Sequence, residues 1–530
     1  MLARVEGEAG LRLLDALRVQ GAPHGAPCGG RGSCGKCRVR VLGLTPPETL
    51  APVSDAERVF LSASDLEAGW RLSCFASFAV RGAVTVEVEV IAVPLDASIA
   101  AQPGLRAGKR DTRPLRLAVD LGTTTIVGRF LDPWGGRSYG TAVRANSQRA
   151  WGADVLSRIE AAGDPAILAR LRDSALEQID EIIEELCMGA ARVSSELGEI
   201  VVAGNTVMLH LLLGCDPSGM GRLPFTPQFL DERLLDASEA GLGRGLSLGT
   251  GCVLHLLPGI SAFVGADLTA GILATRLYEA KAPELLVDLG TNGEIILSAD
   301  RGLLCTATAA GPAFEGGRIE HGSPSLFGAV DHAAWNEVGA LRLSTIGGDE
   351  PSSICGSGLL DLVAALREKG IVDETGRLEG GEDCADGQRR LFIDHGRSLS
   401  ISQSDVREIQ LAKGAVAAGI RVLCQEAGVA MEDIATLRLA GGFGSCLDPR
   451  SALAIGLIPG ELRGRIAAEG NTSLRGTVEI ACAPGAIDIC HSFIAASRAI
   501  DLSRAPSFQD AFMDAMLFPE DEAIARLLAD

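Results

Sequence analysis

The residues best equipped for chemistry are three cysteines in one glycine-rich loop, Cys28-Gly29-Gly30-Arg31-Gly32-Ser33-Cys34-Gly35-Lys36-Cys37, and a fourth, Cys74, separated from Cys37 by 36 residues. Four thiolates at such spacing can converge on one small inorganic core. A core whose sulfides accept backbone N–H bonds needs left-handed dihedrals and no bulky Cβ beside it, and Gly29, Gly30, Gly32 and Gly35 supply both. The set therefore reads as the ligands of one iron–sulfur cluster. Zinc is the competing chemistry, but zinc sites usually pair two short C-x2-4-C knuckles, whereas Cys74 stands alone. The loop also overlaps G-x-G-x-x-G from Gly30 to Gly35 and nearly matches a P-loop from Gly30 to Lys36, with Cys37 where Ser or Thr belongs. No hydrophobic strand enters the loop, so neither nucleotide motif has its context. A Rieske centre would need C-x-H, which neither cysteine segment offers.

The C-x5-C-x2-C spacing is one residue longer than the plant type and is similar to that of adrenodoxin-like ferredoxins, which implies a [2Fe–2S] centre.

A second chemistry starts at Leu117-Ala118-Val119-Asp120-Leu121-Gly122-Thr123-Thr124-Thr125. An apolar strand ending in Asp, then a glycine turn with hydroxyls, suits a triphosphate: backbone N–H groups and threonine hydroxyls meet phosphate oxygens while the carboxylate orients hydrated Mg²⁺. The pattern recurs 168 residues later in Leu285-Leu286-Val287-Asp288-Leu289-Gly290-Thr291-Asn292-Gly293-Glu294. Two copies predict an internally duplicated fold with the nucleotide between the halves. A third glycine turn, Ala440-Gly441-Gly442-Phe443-Gly444, follows an apolar strand and lacks bulk where an adenosine would lie. Seven histidines are spread without pairing, which predicts no histidine metal site; His24, His321 and His491 read as ordinary polar residues.

These groups must be carried by a chain of 530 residues, 47% hydrophobic, with net charge −20. That length and apolar content predict three or four domains. The acidity argues against nucleic acid and anionic membrane surfaces as partners. The ten cysteines outside the cluster set (Cys187, Cys215, Cys252, Cys305, Cys355, Cys384, Cys424, Cys446, Cys482 and Cys490) are scattered singly and read as buried small hydrophobes in a reducing compartment. With no signal-peptide pattern at the start and no window of about 18 uninterrupted apolar residues, a soluble cytoplasmic protein is expected.

Leu11–Val19 has the pattern of a short amphipathic helix before the cluster loop, and Arg38–Val41 and Val84–Val93 alternate as strands. This resembles the β-grasp fold of ferredoxins, which normally opens with a strand hairpin. Only about ten residues precede the helix, so the first strand is expected either to be lost or to lie upstream of the stated start. Pro94–Pro114 reads as a linker. Asp164-Pro165 is an N-cap followed by proline at the first helical position, leading an apolar face through Leu168, Leu171, Ala175, Ile179, Ile182 and Leu186. Glu199–Ala203 reads as a strand, a helix runs from Leu359 to Gly370, and Ser404 or Asp405 caps a longer helix ending at Gly428. Two polar or glycine-rich stretches, Asn146–Val155 and Ala309–Gly317, suit a subdomain interface or, less well, a partner surface.

With Asp120-Leu-Gly-Thr-Thr-Thr, Asp288-Leu-Gly-Thr-Asn-Gly-Glu and Ala440-Gly-Gly-Phe-Gly, the sequence resembles the acetate and sugar kinase, Hsc70 and actin superfamily over roughly Leu115 to Arg504. That implies an α/β protein: a β-grasp ferredoxin-like domain, then duplicated RNase H-like subdomains closing on ATP. The expected division is a cluster domain 1–93, linker 94–114, first subdomain and middle region 115–280, second subdomain 281–505 and C-terminal tail 506–530.

Cluster domain, linker and actin-like ATPase together resemble the reductive activators of corrinoid proteins, nearly end to end and including a Phe508–Pro519 stretch. The resemblance implies donation of one electron, with ATP, to a methyltransferase corrinoid whose cobalt has slipped from Co(I) to Co(II). By position it assigns Cys28, Cys34, Cys37 and Cys74 to the cluster. Asp120, Gly122, Thr123 and Thr124 go to one side of the phosphates and Asp288, Gly290, Thr291 and Asn292 to the other. Gly441, Gly442 and Gly444 go to the adenosine, and Asp120 and Asp288 to Mg²⁺-bound water. No side chain is assigned covalent or acid–base catalysis. The implied partners are a corrinoid protein and an upstream low-potential electron donor, and pairing among superfamily relatives makes a homodimer the expected assembly. Two rivals come from other classes. A [2Fe–2S] electron-transfer component of an oxidoreductase would not need the duplicated phosphate turns except as a regulatory site, and a small-molecule kinase would not need the cluster.

Overall fold

The computed structural model describes residues 2–19, 26, 30–32, 35–88, 114–132, 137–290, 292–300, 302–384, 387–394 and 396–528. The expected linker therefore lies almost wholly outside the described residues, as do Cys28, Gly29, Cys34 and Thr291.

The N-terminal region is a four-stranded antiparallel sheet in the order Leu2–Gly7, Gly82–Val88, Arg38–Thr45, Trp70–Leu72. A strand does precede the helix: Leu2–Gly7 pairs with Gly82–Val88 along its whole length, so the expectation that no strand lies within this segment is corrected, although it is a single strand and not a hairpin. The helix is Leu13–Val19, two residues shorter at its start than the periodicity suggests, with Leu13, Leu14, Ala16 and Leu17 buried. Leu13, Ala16 and Leu17 pack with Val39, Phe78, Val84 and Val86 in one small core. Leu14 turns the other way, into a second cluster with Ala26, Cys37, Leu61, Leu72 and Cys74. The helix thus joins the sheet to the cluster loop.

The remainder is built twice. In the first lobe, strands Arg137–Ala145, Thr125–Asp132, Leu115–Leu121, Leu197–Gly204 and Val253–Leu256 are neighbours in that order, the first three antiparallel and the last two parallel additions. The second lobe repeats this order and these directions with Gly302–Thr308, Gly293–Ala299, Glu284–Leu289, Thr436–Ala440 and Ile466–Gly470. Parallel strands covered on both faces read as continuous apolar runs, which is why residues 117–121 and 285–289 are apolar except for Asp120 and Asp288, while Arg116 and Glu284 at the strand starts form ion pairs with Glu199 and Arg438. Gly128 lets the Pro165–Ala190 helix close on the first sheet, since a Cβ there would lie 2.4 Å from Ile182 Cγ2.

Two helix readings shift: the helix expected from Leu359 to Gly370 runs Gly356–Glu368, three residues earlier at its start, and the cap of the long second-lobe helix also lies earlier than read. Asp164 caps Pro165–Ala190. The long second-lobe helix Gln403–Ala427 is capped by Ser402, with Asp405 as the reciprocal partner three residues on, and Gly428 ends it at φ 67°. The C-terminal residues are no loose appendage: Phe518 and Ile524 belong to the second-lobe core.

The lobes meet where helix Ala266–Thr275 crosses helix Thr472–Cys482. A Cβ on Gly476 would stand 1.9 Å from the Ala270 carbonyl oxygen, so only glycine permits this approach. Although it follows a second-lobe strand, the Thr472–Cys482 helix buries Leu474, Ile480 and Ala481 in the core that holds the first sheet. No helix among the described residues is long and apolar enough to cross a membrane.

Candidate functional site

In the cluster region, Cys37 and Cys74 are buried and their segments are joined by Ser73 N–H donating to the Cys37 carbonyl at 2.9 Å. Gly30, Gly32 and Gly35 adopt φ of 88°, 75° and 64°. A Cβ on them would meet Leu14, Phe75 and Phe60 at 2.7, 2.4 and 2.7 Å. Backbone that turns left-handed under a close apolar wall fits a cluster held by thiolates and main-chain N–H groups. Arg12 donates to the Gly30 carbonyl at 3.2 Å and to Asp15 at 2.7 Å. Its guanidinium is held above its ordinary pKa first by Asp15 and also by Cys74 and Cys37, so a fixed cation stands near the two described thiols.

The two D-L-G-T hairpins face each other across the cleft between the lobes. In each, the glycine N–H closes the turn onto a carbonyl three or two residues on: Gly122 to Thr125 and Gly290 to Asn292, both at 3.0 Å. Asp120 stands opposite Val127, and Asp288 opposite Glu294, one residue before the turn. The third glycine turn joins them, because Ala440 pairs with Asp288 and a Cβ on Gly441 (φ 87°) would lie 2.5 Å from Asp288 Oδ1. Gly442 faces open space and Gly444 makes only ordinary contacts. Asp120 is held from the other half of the duplication, by Asn471 Nδ2 at 2.8 Å and Ser473 Oγ at 2.7 Å.

Four carboxylates share this floor. Asp288 is pushed up to about 7 by burial and then by the charge of Asp120. Asp267 is raised to about 7 by burial, then Asp288, with Asp120 adding less. Burial, then Asp267 and Asp288, lift Glu294 well above the usual carboxylate range. Asp120 is also raised by burial, against the bonds from Ser473 and Asn471. A cation would favour the ionised form of such a set, and all-oxygen donors suit a hard one such as Mg²⁺. Among the described residues no three His, Cys, Asp or Glu side chains are placed to hold one metal ion together.

The other end of the cleft is basic. Arg158 donates to the Thr123 carbonyl at 2.5 Å and to Gly152 and Gln148, and is lowered to about 9 by burial and then by Arg149. Arg149 has a buried Nη1 with no hydrogen-bond partner. Glu315 lies between: it accepts the Thr124 hydroxyl at 2.9 Å and is near enough to both arginines to favour their charge. Asn146 secures the first phosphate turn, donating from its main chain to Thr124 and from Nδ2 to Gly122, each at 2.8 Å. The two stretches left open in the sequence, Asn146–Val155 and Ala309–Gly317, thus meet at the lobe interface.

Asp267, Glu294, Arg149 and Glu315 are the residues that motif reading did not assign. Glu294 closes the second D-L-G-T motif in plain sight. The signal for Asp267 is the duplication: helix Ala266–Thr275 follows its strand as Thr472–Cys482 follows the matching one, so both helix starts point into the cleft. Two expectations need correcting elsewhere. His255 and His491, read as separate, converge on Glu232, with Nε2 to carboxylate distances of 2.7 and 3.2 Å. Of the scattered cysteines, Cys446 is exposed and Cys215, Cys384 and Cys482 are half-buried, because helix ends and loops, not the core, hold them. Buried Cys252, Cys305 and Cys490 are pushed up to about 12 by desolvation, which keeps them protonated.

Comparison with known proteins agrees with this arrangement. Residues 3–77 match the 2Fe-2S iron-sulfur cluster binding domain, 115–280 the RACo middle region, and 282–526 the C-terminal ASKHA domain of RACo. The corrinoid activation enzyme RamQ of Eubacterium limosum is 30% identical over 427 residues, covering 77% of this chain and 71% of that one. A [Co(II) methylated amine-specific corrinoid protein] reductase of Methanosarcina barkeri is 25% identical over 387 residues, 68% of each. The solved structure of a reductive activator for a corrinoid, iron-sulfur protein superposes with a TM-score of 0.69 at 27% identity, covering 98% of this chain and 97% of that one. With its cluster-binding domain, middle region and ASKHA domain in that order, this chain belongs to the family of reductive activators of corrinoid proteins.

Proposed function

We propose that this chain is an ATP-dependent activase that passes one electron from a [2Fe–2S] cluster on Cys28, Cys34, Cys37 and Cys74 to the Co(II) corrinoid of a methyltransferase system, restoring Co(I). The named relatives support the corrinoid acceptor. The cluster supplies a one-electron couple near roughly −400 mV if it behaves like plant-type centres. An acceptor harder to reduce requires a conformational drive, which a nucleotide clamp provides.

Within the clamp, Asp120 and Asp288, joined by Asp267 and Glu294, orient a hydrated Mg²⁺. Gly122, Thr123 and Thr124 face the phosphates from one lobe, Gly290, Thr291 and Asn292 from the other, and Gly441, Gly442 and Gly444 leave room for the adenosine. We assign the cluster domain to 1–93, the linker to 94–114, the lobes to 115–280 and 281–505 and the tail to 506–530. The protein works as a cytoplasmic homodimer supplied by a separate low-potential donor.

The observation that carries the ATP coupling is the contact between the two chemistries. Lys36, between Cys34 and Cys37, donates to the carbonyls of Ile319, Glu320 and Gly322 at 2.7, 2.9 and 3.2 Å, beside the loop that bonds Thr124. A plain electron carrier would have no use for that contact. The test is anaerobic: protein, a Co(II) corrinoid methyltransferase subunit and a low-potential reductant, followed at the Co(I) absorption band. Co(I) only with Mg-ATP is the expected result. Cluster reduction with no Co(I) across several corrinoid partners would refute the assignment.

A further inference from the structure

The cluster domain touches both lobes. Toward the first, Arg18 Nε donates to the Ala150 carbonyl at 2.9 Å and its guanidinium lies 6.0 Å from the Trp151 ring, while Arg31 pairs with Glu160 at 2.7 Å. Toward the second, Lys36 Nζ donates to the carbonyls of Ile319, Glu320 and Gly322, three acceptors on one short segment. A body fixed on both sides of a cleft fits only one separation of its walls.

A further contact between the lobes is Thr124 Oγ1 to Glu315. A hydroxyl has one proton to donate, and Thr124 is also a proposed phosphate ligand, so it serves either Glu315 or a phosphate oxygen. A phosphate at the turn also sets a second negative charge against Glu315, beside Arg149 and its orphaned Nη1. Glu315 therefore stands where an anion would compete for the same donors. Its loop transmits the change. Phe314 stacks on Phe443 of the third glycine turn at 5.0 Å and 9°. The segment from Gly316 to Ser323 is closed on itself: a Cβ on Gly316 would strike Ser323 N at 2.3 Å, and one on Gly322 the Gly316 carbonyl oxygen at 2.3 Å. Its outer end is anchored to the second lobe by Glu320 N–H to Asp405 and by Glu320 to Arg390, each at 2.8 Å. The segment and its lobe move together.

We propose that Lys36 and Glu315 are positioning residues of one device: the cluster domain straps the two lobes at the separation set by the Thr124–Glu315 bond, and a nucleotide phosphate that displaces Glu315 from Thr124 releases the strap. This rests on the nucleotide reading of the cleft. Nucleotide binding and cluster-domain docking then oppose each other, and by reciprocity anything that weakens docking tightens nucleotide binding by the same factor.

The test is a titration of the full-length protein, its visible cluster spectrum checked first, with Mg²⁺ and a fluorescent non-hydrolysable ATP analogue. Lys36→Ala and Glu315→Gln are each expected to tighten binding by about fivefold, within the usual range of coupling. Lys36→Arg, which still donates to carbonyls, keeps the wild-type affinity. The double variant tightens binding by less than the product of the two single effects, because both contacts hold the same closed separation of the lobes. Wild type that binds the analogue with an affinity indifferent to Lys36 and Glu315 overturns the coupling alone. Wild type that binds no analogue overturns the nucleotide reading, and the coupling with it.

Discussion

Asp288→Asn should make the protein without nucleotide more stable while destroying its nucleotide site. Asp288 is pushed to about 7 from an ordinary 3.8 by burial and by Asp120, and no described side chain hydrogen-bonds it. A carboxyl whose folded pKa lies above its unfolded one contributes stability that is full below about pH 4 and is lost as pH rises through about 7. At pH 8 the group is ionised against its surroundings. A displacement of about 3 pH units corresponds to about 4 kcal/mol. Asp288 is half-buried at the cleft wall, so water screens part of its charge, and roughly half of this, about 2 kcal/mol, is the expected gain on neutralising it. For a large domain that raises Tm by roughly 5 °C. The assay is a thermal scan at pH 5 and pH 8 without Mg²⁺ or nucleotide. Wild type should lose stability between the two, and the variant should lose less and exceed wild type at pH 8. Mg-ATP should protect wild type and not the variant, whose cluster spectrum remains intact. A variant less stable than wild type at pH 8, or one that loses its cluster, would refute the electrostatic argument.

Cys74→Ala should abolish the visible cluster spectrum and leave binding of the ATP analogue intact, since Cys74 lies in its own small core apart from the cleft; loss of both would show that the lobes depend on the cluster. Gly476→Ala places a Cβ against the Ala270 carbonyl oxygen and should cost about 2 kcal/mol or more in urea unfolding, because the helix backbones must separate; an unchanged midpoint would contradict the close crossing. Phe518→Ala removes a buried ring that lies under the Arg367 and Lys413 side chains, and should cost about 3–5 kcal/mol with the Phe508–Met516 helix protected least in hydrogen exchange; full protection there would mean that the tail is held by other contacts.

The motifs legible in the sequence were those whose residues lie next to one another along the chain. A strand-turn-strand hairpin needs about ten residues, so both D-L-G-T turns and the strands that carry them read directly, and their repetition foretold the matching sheet orders. The caps at Asp164 and Gly428 were equally local. What could not be read depends on packing of distant segments. Nothing near Asp120 indicates that Asn471 and Ser473 will hold it, nor does anything near Lys36 point to carbonyls some 280 positions away. Asp267 and Glu315 carry no local signature, because a single carboxylate on a helix start or a glycine-rich loop is ordinary until a second charge is brought beside it.

The same distinction bears on how the two chemistries came to share one chain. Each is locally complete: thiolates and glycines can hold a cluster, and paired turns can hold a phosphate, without reference to the other. Coupling needs only residues where the two meet, and those are the ones local motifs leave unassigned: Arg18, Arg31 and Lys36 on the cluster side, and Ala150, Glu160 and the 319–322 carbonyls on the other. Four of the five receiving groups are main-chain carbonyls, which any sequence offers, so specificity rests on where the cations are placed. Moving the charge of Lys36 by one position, to Gly35 or Cys37, is ruled out by the left-handed turn at one and the buried thiol at the other. The cation that ties the cluster loop to the nucleotide lobes thus sits at the one place in the Gly35–Cys37 turn that can carry a long side chain.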